Sequence, residues 1–330
     1  MCYLRDEELP LVSICCLAYN HEKFIADAIE GFLIQETDFK FEILIGEDCS
    51  RDRTEDVIRE YQSKNPGRIR LIKNKSNMGG RENFRNLTQI ANGKYIAICE
   101  GDDYWTDSKK LKKQVAFMEE NTDCVMCFHS AKVVNSIKIP LGYKIRPFRE
   151  KHICNIEEII RIAGSKIPTQ SKVFRKSMRE DVPQWHFNAH VGDMASDLLY
   201  STKGKIAYLD ETMSVYRLAG KGSWTRKLYS GHDVLEKKIA MMKRDIALYE
   251  AFNEYTNYKY CQVIENVKSN IRCGICLISD SGIKMKKKYL SKLVDENGIY
   301  LASKMVVKFG LLILFARFQN SIHKLRKTVR

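Results

Sequence analysis

Residues 11–48 read LVSICCLAYNHEKFIADAIEGFLIQETDFKFEILIGED. Leu11–Ala18 is a continuous apolar run, which suits a strand covered on both faces. Behind it Phe24, Ile25, Ala28, Ile29, Phe32 and Leu33 recur at helical spacing, and Phe41–Ile45 reads as a second strand ending in Gly46-Glu47-Asp48. Further on, Thr54 offers an N-cap to a helix that carries Glu55 and Asp56 in its first turn and Val57, Ile58 and Tyr61 behind them. Ile69–Ile72 reads as a third strand, Glu82–Ala91 as a helix and Tyr95–Cys99 as a fourth strand. Gly101-Asp102-Asp103 then precedes a helix through Leu111, Val115 and Met118. Strands alternating with helices predict an α/β fold with a mostly parallel central sheet flanked by helices.

The composition agrees with a globular chain. Of 330 residues, 44% are hydrophobic and 29% charged, with 6 prolines and 18 glycines, which excludes disordered and collagen-like architectures. No run of uncharged apolar residues is long enough to span a bilayer, and MCYLRDEELP has no basic head leading into an apolar stretch, so neither a spanning helix nor a signal peptide is expected. Eleven cysteines, an odd number, favour reduced thiols over a complete disulfide framework. Two C-x-x-C pairs occur, Cys124/Cys127 and Cys273/Cys276. The first lies in a strand-like run, where a spacing of three sends the side chains to opposite faces, so core thiols are expected there rather than a zinc site.

A parallel sheet of this kind binds ligands beyond the carboxyl ends of its strands. Polar residues gather at that rim: Tyr19-Asn20 after strand one, Glu47-Asp48 after strand two, and Glu100-Gly101-Asp102-Asp103 after strand four. Neither a GxxxxGK[ST] nor a GxGxxG motif is present, so a nucleotide here needs another means of handling its phosphate charge. Three carboxylates within four residues are either a solvated acidic turn or a place for a hard cation, Mg²⁺ or Mn²⁺, bridging to a diphosphate.

The segments VSICCLAYNHEKFIADAIEGFLIQ, FEILIGEDCSRDRTEDVI and NMGGRENFRN, followed by ANGKYIAICEGDDYWTDSKKLKKQ, resemble family 2 glycosyltransferases of the GT-A fold, in their EGDDYW-containing bacterial form. The similarity runs through about residues 11–130 and more loosely to about residue 225. It implies an inverting, metal-dependent transferase that moves a sugar from a nucleotide-sugar donor, a UDP-sugar most often, to a hydroxyl of a glycan or lipid-linked acceptor in cell-surface polysaccharide synthesis. Carried over by position, the resemblance places Tyr19, Asn20, Asp48, Arg85, Glu100 and Asp102 at the donor, with Tyr19 and Asp48 at the base. It places Asp102 and Asp103 at a divalent metal, Mn²⁺ or Mg²⁺. HVGDMASDLLYSTKGKIAYLDETMSVYR resembles the family's later region and makes Asp193 the general base, with Asp197 in reserve; on local sequence alone Asp193 also suits a helix N-cap. Thr169, Gln170 and Trp224 fall on the acceptor side. Relatives often carry a histidine two residues after Tyr-Arg, where this chain has Ala219 after Tyr216-Arg217, so Arg217 or Lys221 is the expected cation for the diphosphate.

The charge is uneven. Lys and Arg number 55 against 41 acidic residues, and residues 281–330 hold twelve basic residues against Asp295 and Glu296. Two regions follow: a GT-A catalytic domain over 1–225, and a helical, basic C-terminal extension over 226–330. Within Tyr300–Phe318 the uncharged run Phe309–Ala316 is too short to span a bilayer; with flanking Lys308 and Arg317 it suits a helix lying on an anionic leaflet, the other reading being a helix docked on the catalytic domain. A cytoplasmic enzyme peripheral on the inner face of the cell membrane is the expectation, with no nucleic-acid partner. The competing readings are a basic nucleic-acid-binding protein, which lacks any accompanying motif, and a nucleotidyltransferase on a similar sheet, which would favour a glycine-rich loop after strand one that AYNHEKF does not offer.

Overall fold

The computed structural model describes residues 9–164, 166–218, 228–231, 233–279, 303 and 305–314. The chain divides into two compact units, Met1–His186 with Val191–Ser223, and Phe187–His190 with Trp224–Arg330.

The first unit is built on a single sheet ordered β3-β2-β1-β4-β9-β6-β10-β5. Strands β1 (Val12–Ala18), β2 (Phe41–Glu47), β3 (Ile69–Lys73) and β4 (Tyr95–Glu100) run parallel and are joined by helices α1 (Ile25–Leu33), α2 (Thr54–Lys64) and α3 (Gly80–Ile90). After β4 come the short β5 (Tyr104–Trp105), α4 (Lys110–Glu120) and β6 (Cys124–Val134). Then follow β7 (Pro140–Ile145) on β6, β8 (His152–Cys154) on β10, α5 (Ile156–Ile162), β9 (Val173–Arg175), α6 (Gln184–Asn188), α7 (Gly192–Lys203) and β10 (Lys205–Arg217). The antiparallel β9 bridges β4 to β6, pairing with the first half of β4 at Tyr95–Ala97 and leaving its carboxyl end free of that pairing.

Alternation along β1 explains its unbroken apolar run. Val12, Ile14, Cys16 and Ala18 pack with Ile25, Ile29 and Phe32 of α1 and Leu111 and Met118 of α4, while Cys15 packs on the other face with Leu87 of α3 and Leu199 of α7. Two local expectations change. Thr54 is the first residue of α2 and not its cap: Asp52 Oδ1 accepts from Thr54 N at 3.0 Å, while Thr54 Oγ1 accepts from His21 N at 2.7 Å. The threonine therefore ties the β1–α1 loop down. Cys124 and Cys127 are buried free thiols within β6, beside Gln114 in the latter case.

The second unit contains α8 (Val234–Tyr255) and α9 (Cys261–Ile278), with a helix over 305–314. Met242, Ile278 and Phe309 form its buried centre, and the last helix packs on this hairpin through Phe309 with Met305, Leu312 and Ile313 around it. No helix among the described residues is long and apolar enough to cross a membrane.

Candidate active site

The chain proceeds from β1 outward to β2 and β3, then returns past β1 to β4, so β1 and β4 flank a topological switch point. Their register sets what stands there. Leu17 lies opposite Glu100 and Ala18 opposite Glu47, which places Tyr19-Asn20, Asp48 and Gly101-Asp102-Asp103 on one rim.

The acidic turn is held from beneath by Arg217. Its backbone N donates to Asp103 Oδ1 at 2.7 Å, its Nε to the Asp102 carbonyl at 2.8 Å, and its Nη2 to Asp27 Oδ2 at 2.7 Å, with the guanidinium over the Phe24 ring. Arg217 is buried and fully engaged. The expectation that it neutralises a diphosphate is corrected: its hydrogen-bonding groups are committed to the turn and to α1. Lys221, the other expected cation, lies outside the described residues, as does Trp224.

The two aspartates of the turn differ. Asp103 is 1% exposed, and its Oδ2 is buried with no partner among the described residues. Burial, with the charges of Asp102 and Glu100 added, pushes its carboxyl well above the usual range. The Asp102 side chain is 14% exposed and lies 3.8 Å from His21 Nε2. Glu100 is pushed up to about 8 by burial and by repulsion from Asp102 and Asp193, against the pull of Lys172.

Asp193 is therefore brought to the same cluster. Val191 is the N-cap of α7 and Asp193 its second residue, so the capping alternative does not hold. Asp193 Oδ2 accepts from Thr169 Oγ1 at 3.2 Å and Oδ1 from Met194 N at 2.7 Å. Asp197, the reserve base, is fully buried and paired with Lys172, out of reach of an acceptor. Gln170 is wholly buried: its carbonyl accepts from Trp105 Nε1 at 2.8 Å, and its side-chain Nε2 and Oε1 have no hydrogen-bond partner among the described residues.

At the end of β2, Asp48 Oδ1 accepts from Asn74 Nδ2 and Met78 N, and Oδ2 from Gly79 N at 2.8 Å. The carboxylate thus fastens the β3–α3 loop while leaving acceptor capacity on Oδ2. Asn20 has a left-handed backbone (φ 57), its N donates to Ser50 Oγ and its Oδ1 accepts from Arg51 N at 2.9 Å, joining the β1 and β2 loops. Tyr19 is half-buried beside it. Arg85 is exposed and pairs with Glu82 at 3.0 Å. Arg81, one helical turn earlier, is the arginine that faces α7: a Cβ on Gly192 would lie 3.8 Å from its Nε.

Three residues escaped the sequence reading: His21, Arg81 and Lys172. His21 directly follows Tyr19-Asn20 on the rim, which is the signal that marks it; Arg81 and Lys172, the latter just before β9, carry none.

Among the described residues no three His, Cys, Asp or Glu side chains converge into a preformed metal-holding group. The carboxylates nonetheless fit a hard divalent cation. They are oxygen donors, one is partly exposed, one holds an orphaned buried oxygen, and their mutual repulsion is what a cation would relieve.

Residues 13–181 match the profile of Glycosyl transferase family 2. An uncharacterised protein of Mycobacterium tuberculosis is 34% identical over 214 residues, which cover 64% of this chain and 60% of that protein, so the chain spans about 60% of the length of these relatives. An uncharacterised glycosyltransferase of Methanocaldococcus jannaschii is 39% identical over 241 residues, 68% of this chain and 78% of that protein. Two solved structures share the fold. Residues 1–349 of the Staphylococcus aureus poly(ribitol-phosphate) β-N-acetylglucosaminyltransferase TarS, in complex with UDP-GlcNAc, align with TM-score 0.51 at 18% identity over 95% of this chain and 91% of that one. A mannosyltransferase of Pyrobaculum calidifontis, in complex with GDP-Man and Mn²⁺, aligns with TM-score 0.57 at 12% identity over 94% and 87%. With its family profile covering the strands that carry the acidic turn, the chain belongs to glycosyl transferase family 2 and has the GT-A fold.

Proposed function

We propose that this enzyme is an inverting transferase that moves a sugar from a UDP-sugar to a hydroxyl of a glycan or lipid-linked glycan, in cell-surface polysaccharide synthesis. One observation carries the reading: Asp193 of α7, held by Thr169, stands near enough to Glu100 at the end of β4 for its charge to help raise the Glu100 carboxyl. The UDP-sugar and polymer acceptor rest on TarS, whose name and complex combine them.

Asp193 takes the proton of the acceptor hydroxyl as the new bond to the anomeric carbon forms and the bond to the departing diphosphate breaks. Thr169 Oγ1 donates to one carboxylate oxygen and Met194 N to the other, which fixes the orientation of the carboxylate. A single displacement from the face opposite the leaving group inverts the anomeric centre. General-base help of this kind is worth about 10²–10⁴-fold. Asp48, Asn20 and Tyr19 wall the base and ribose side through the loops they brace. A divalent cation held by Asp102, with Asp103 behind it, would supply neutralisation of the leaving diphosphate. His21 excludes water behind Asp102, since even a Cβ at Gly101 would come within 2.8 Å of its Nδ1.

Asp193→Asn is expected to leave UDP-sugar affinity within about twofold and to lower transfer by about 10²–10⁴-fold. Weakened donor binding with residual turnover would assign Asp193 a structural role instead.

We also propose that the second unit holds the enzyme on the cytoplasmic face of a membrane. Val307, Leu311 and Leu314, at i, i+4 and i+7, form an exposed apolar stripe on the helix over 305–314, with Lys308 beside it.

A further inference from the structure

Lys172 and Asp197 form the most deeply buried ion pair among the described residues of the catalytic unit. Lys172 Nζ stands 2.6 Å from Asp197 Oδ1, and the side chains are 5% and 1% exposed. Withdrawing two charges from water is costly, and an apolar pair of similar volume generally holds two elements together at least as firmly. Stability alone does not account for a charged pair at this place.

Its position suggests what it does. Lys172 directly follows the 3-10 turn Thr169–Ser171, and its carbonyl accepts from Ile98 N at 3.3 Å, two residues before Glu100. Asp197 lies one helical turn beyond Asp193, on the same face of α7. Thr169 Oγ1 already reaches Asp193 Oδ2. The segment 169–172 and the first two turns of α7 are therefore joined by two rungs, Thr169–Asp193 and Lys172–Asp197. The first rung is a single neutral-donor bond at 3.2 Å, too weak alone to hold a helix against sliding. The second is short, charge-assisted and shielded from water, and so it is directional in a way that apolar packing is not. The two partners respond differently: Asp197 and Asp193 hold the Lys172 ammonium above its usual range although burial opposes it, whereas burial outweighs Lys172 and pushes the Asp197 carboxyl up to about 7.

Resting on the reading of Asp193 as the base, we infer that Lys172 and Asp197 are positioning residues that pin α7 to the end of β4 and thereby fix the Asp193 carboxylate against the donor-binding acidic turn. Both residues are closed off from the cleft and act through Asp193.

The double variant Lys172→Met/Asp197→Leu tests this in the full chain. Its melting temperature is expected to equal or exceed that of the parent, its donor KM to stay within twofold, and its kcat to fall at least tenfold. Lys172→Arg, which keeps the charge and the donor, is expected to retain kcat within about threefold. A folded double variant with parental kcat would overturn the inference. Should the double variant not fold, Asp197→Asn decides. It frees the ammonium to take Asp193 as its partner, so kcat should fall severalfold at unchanged donor KM, and a parental kcat would be equally fatal. The two readings fail separately. Substantial transfer by Asp193→Asn would remove the base assignment itself, whereas an inactive Asp193→Asn beside a fully active double variant would remove only the pin.

Discussion

Lys110 shows how much a single side chain can be asked to tolerate in this fold. It is fully buried in α4, its ammonium 3.9 Å above the Trp105 ring, and Nζ has no hydrogen-bond partner among the described residues. Burial pulls its pKa from 10.5 down to about 7, against weaker support from Cys127, Cys99 and Asp107. The unfolded chain keeps that proton up to about 10.5, so between pH 7 and 10.5 the unfolded state binds more protons and stability rises with pH. Lys110→Met should therefore stabilise the protein at neutral pH, by about 1–3 kcal/mol, the usual cost of one unsatisfied buried polar group. The advantage should shrink as pH climbs toward 10, which paired denaturant titrations of parent and variant would measure. A constant advantage across that range would mean that the lysine is not titrating in the fold. Nothing in SKKLKKQ distinguishes this lysine from its three solvated neighbours; only the arrival of Trp105 over it does.

Among elements, the contact of α1 with β5 governs the acidic turn. A Cβ at Gly31 would lie 2.8 Å from the Trp105 carbonyl oxygen and 2.9 Å from its amide nitrogen, both backbone atoms that cannot step aside. Gly31→Ala should cost about 1–3 kcal/mol by overpacking. It should also weaken UDP-sugar binding, because Trp105 follows Asp103 by two residues; unfolding midpoints and a thermal-shift titration with donor would report the two effects. The elements themselves were legible in the sequence. The runs at 11–18, 41–45 and 95–99 reflect burial on both faces, a local signal, and the rim carboxylates fall wherever such runs end. The pairings were not legible. Arg217 under Asp103, Trp105 on the Gln170 carbonyl and Lys172 against Asp197 each join segments far apart in the chain, and a charged residue destined for burial looks in the sequence like any solvated one. The expectation for Arg217 fails for this reason: the missing histidine after Tyr216-Arg217 suggested a cation for the diphosphate, while the acidic turn and Asp27 engage its hydrogen-bonding groups.

At the scale of the whole molecule, the second unit is a helical hairpin, α8 and α9, carrying the helix over 305–314. A Cβ at Gly274 would lie 2.6 Å from the Phe309 ring, so this helix is seated closely, and Val307, Leu311 and Leu314 remain outside. Replacing those three with serine should leave the melting temperature nearly unchanged and reduce sedimentation with vesicles containing phosphatidylglycerol; undiminished sedimentation would refute membrane attachment through this stripe. The rim of the first unit has another bearing, on how the enzyme comes into being. Residues 12–18 must wait for 95–100 to be synthesised before the β1–β4 rim exists, and Asp193 on α7 arrives about a hundred residues later still. On the proposed function no nascent fragment recognises the donor, and formation of the rim carries the delay of long-range strand pairing. A nucleotide sugar present during refolding would then leave the early steps alone and act only on the finished state, slowing its loss.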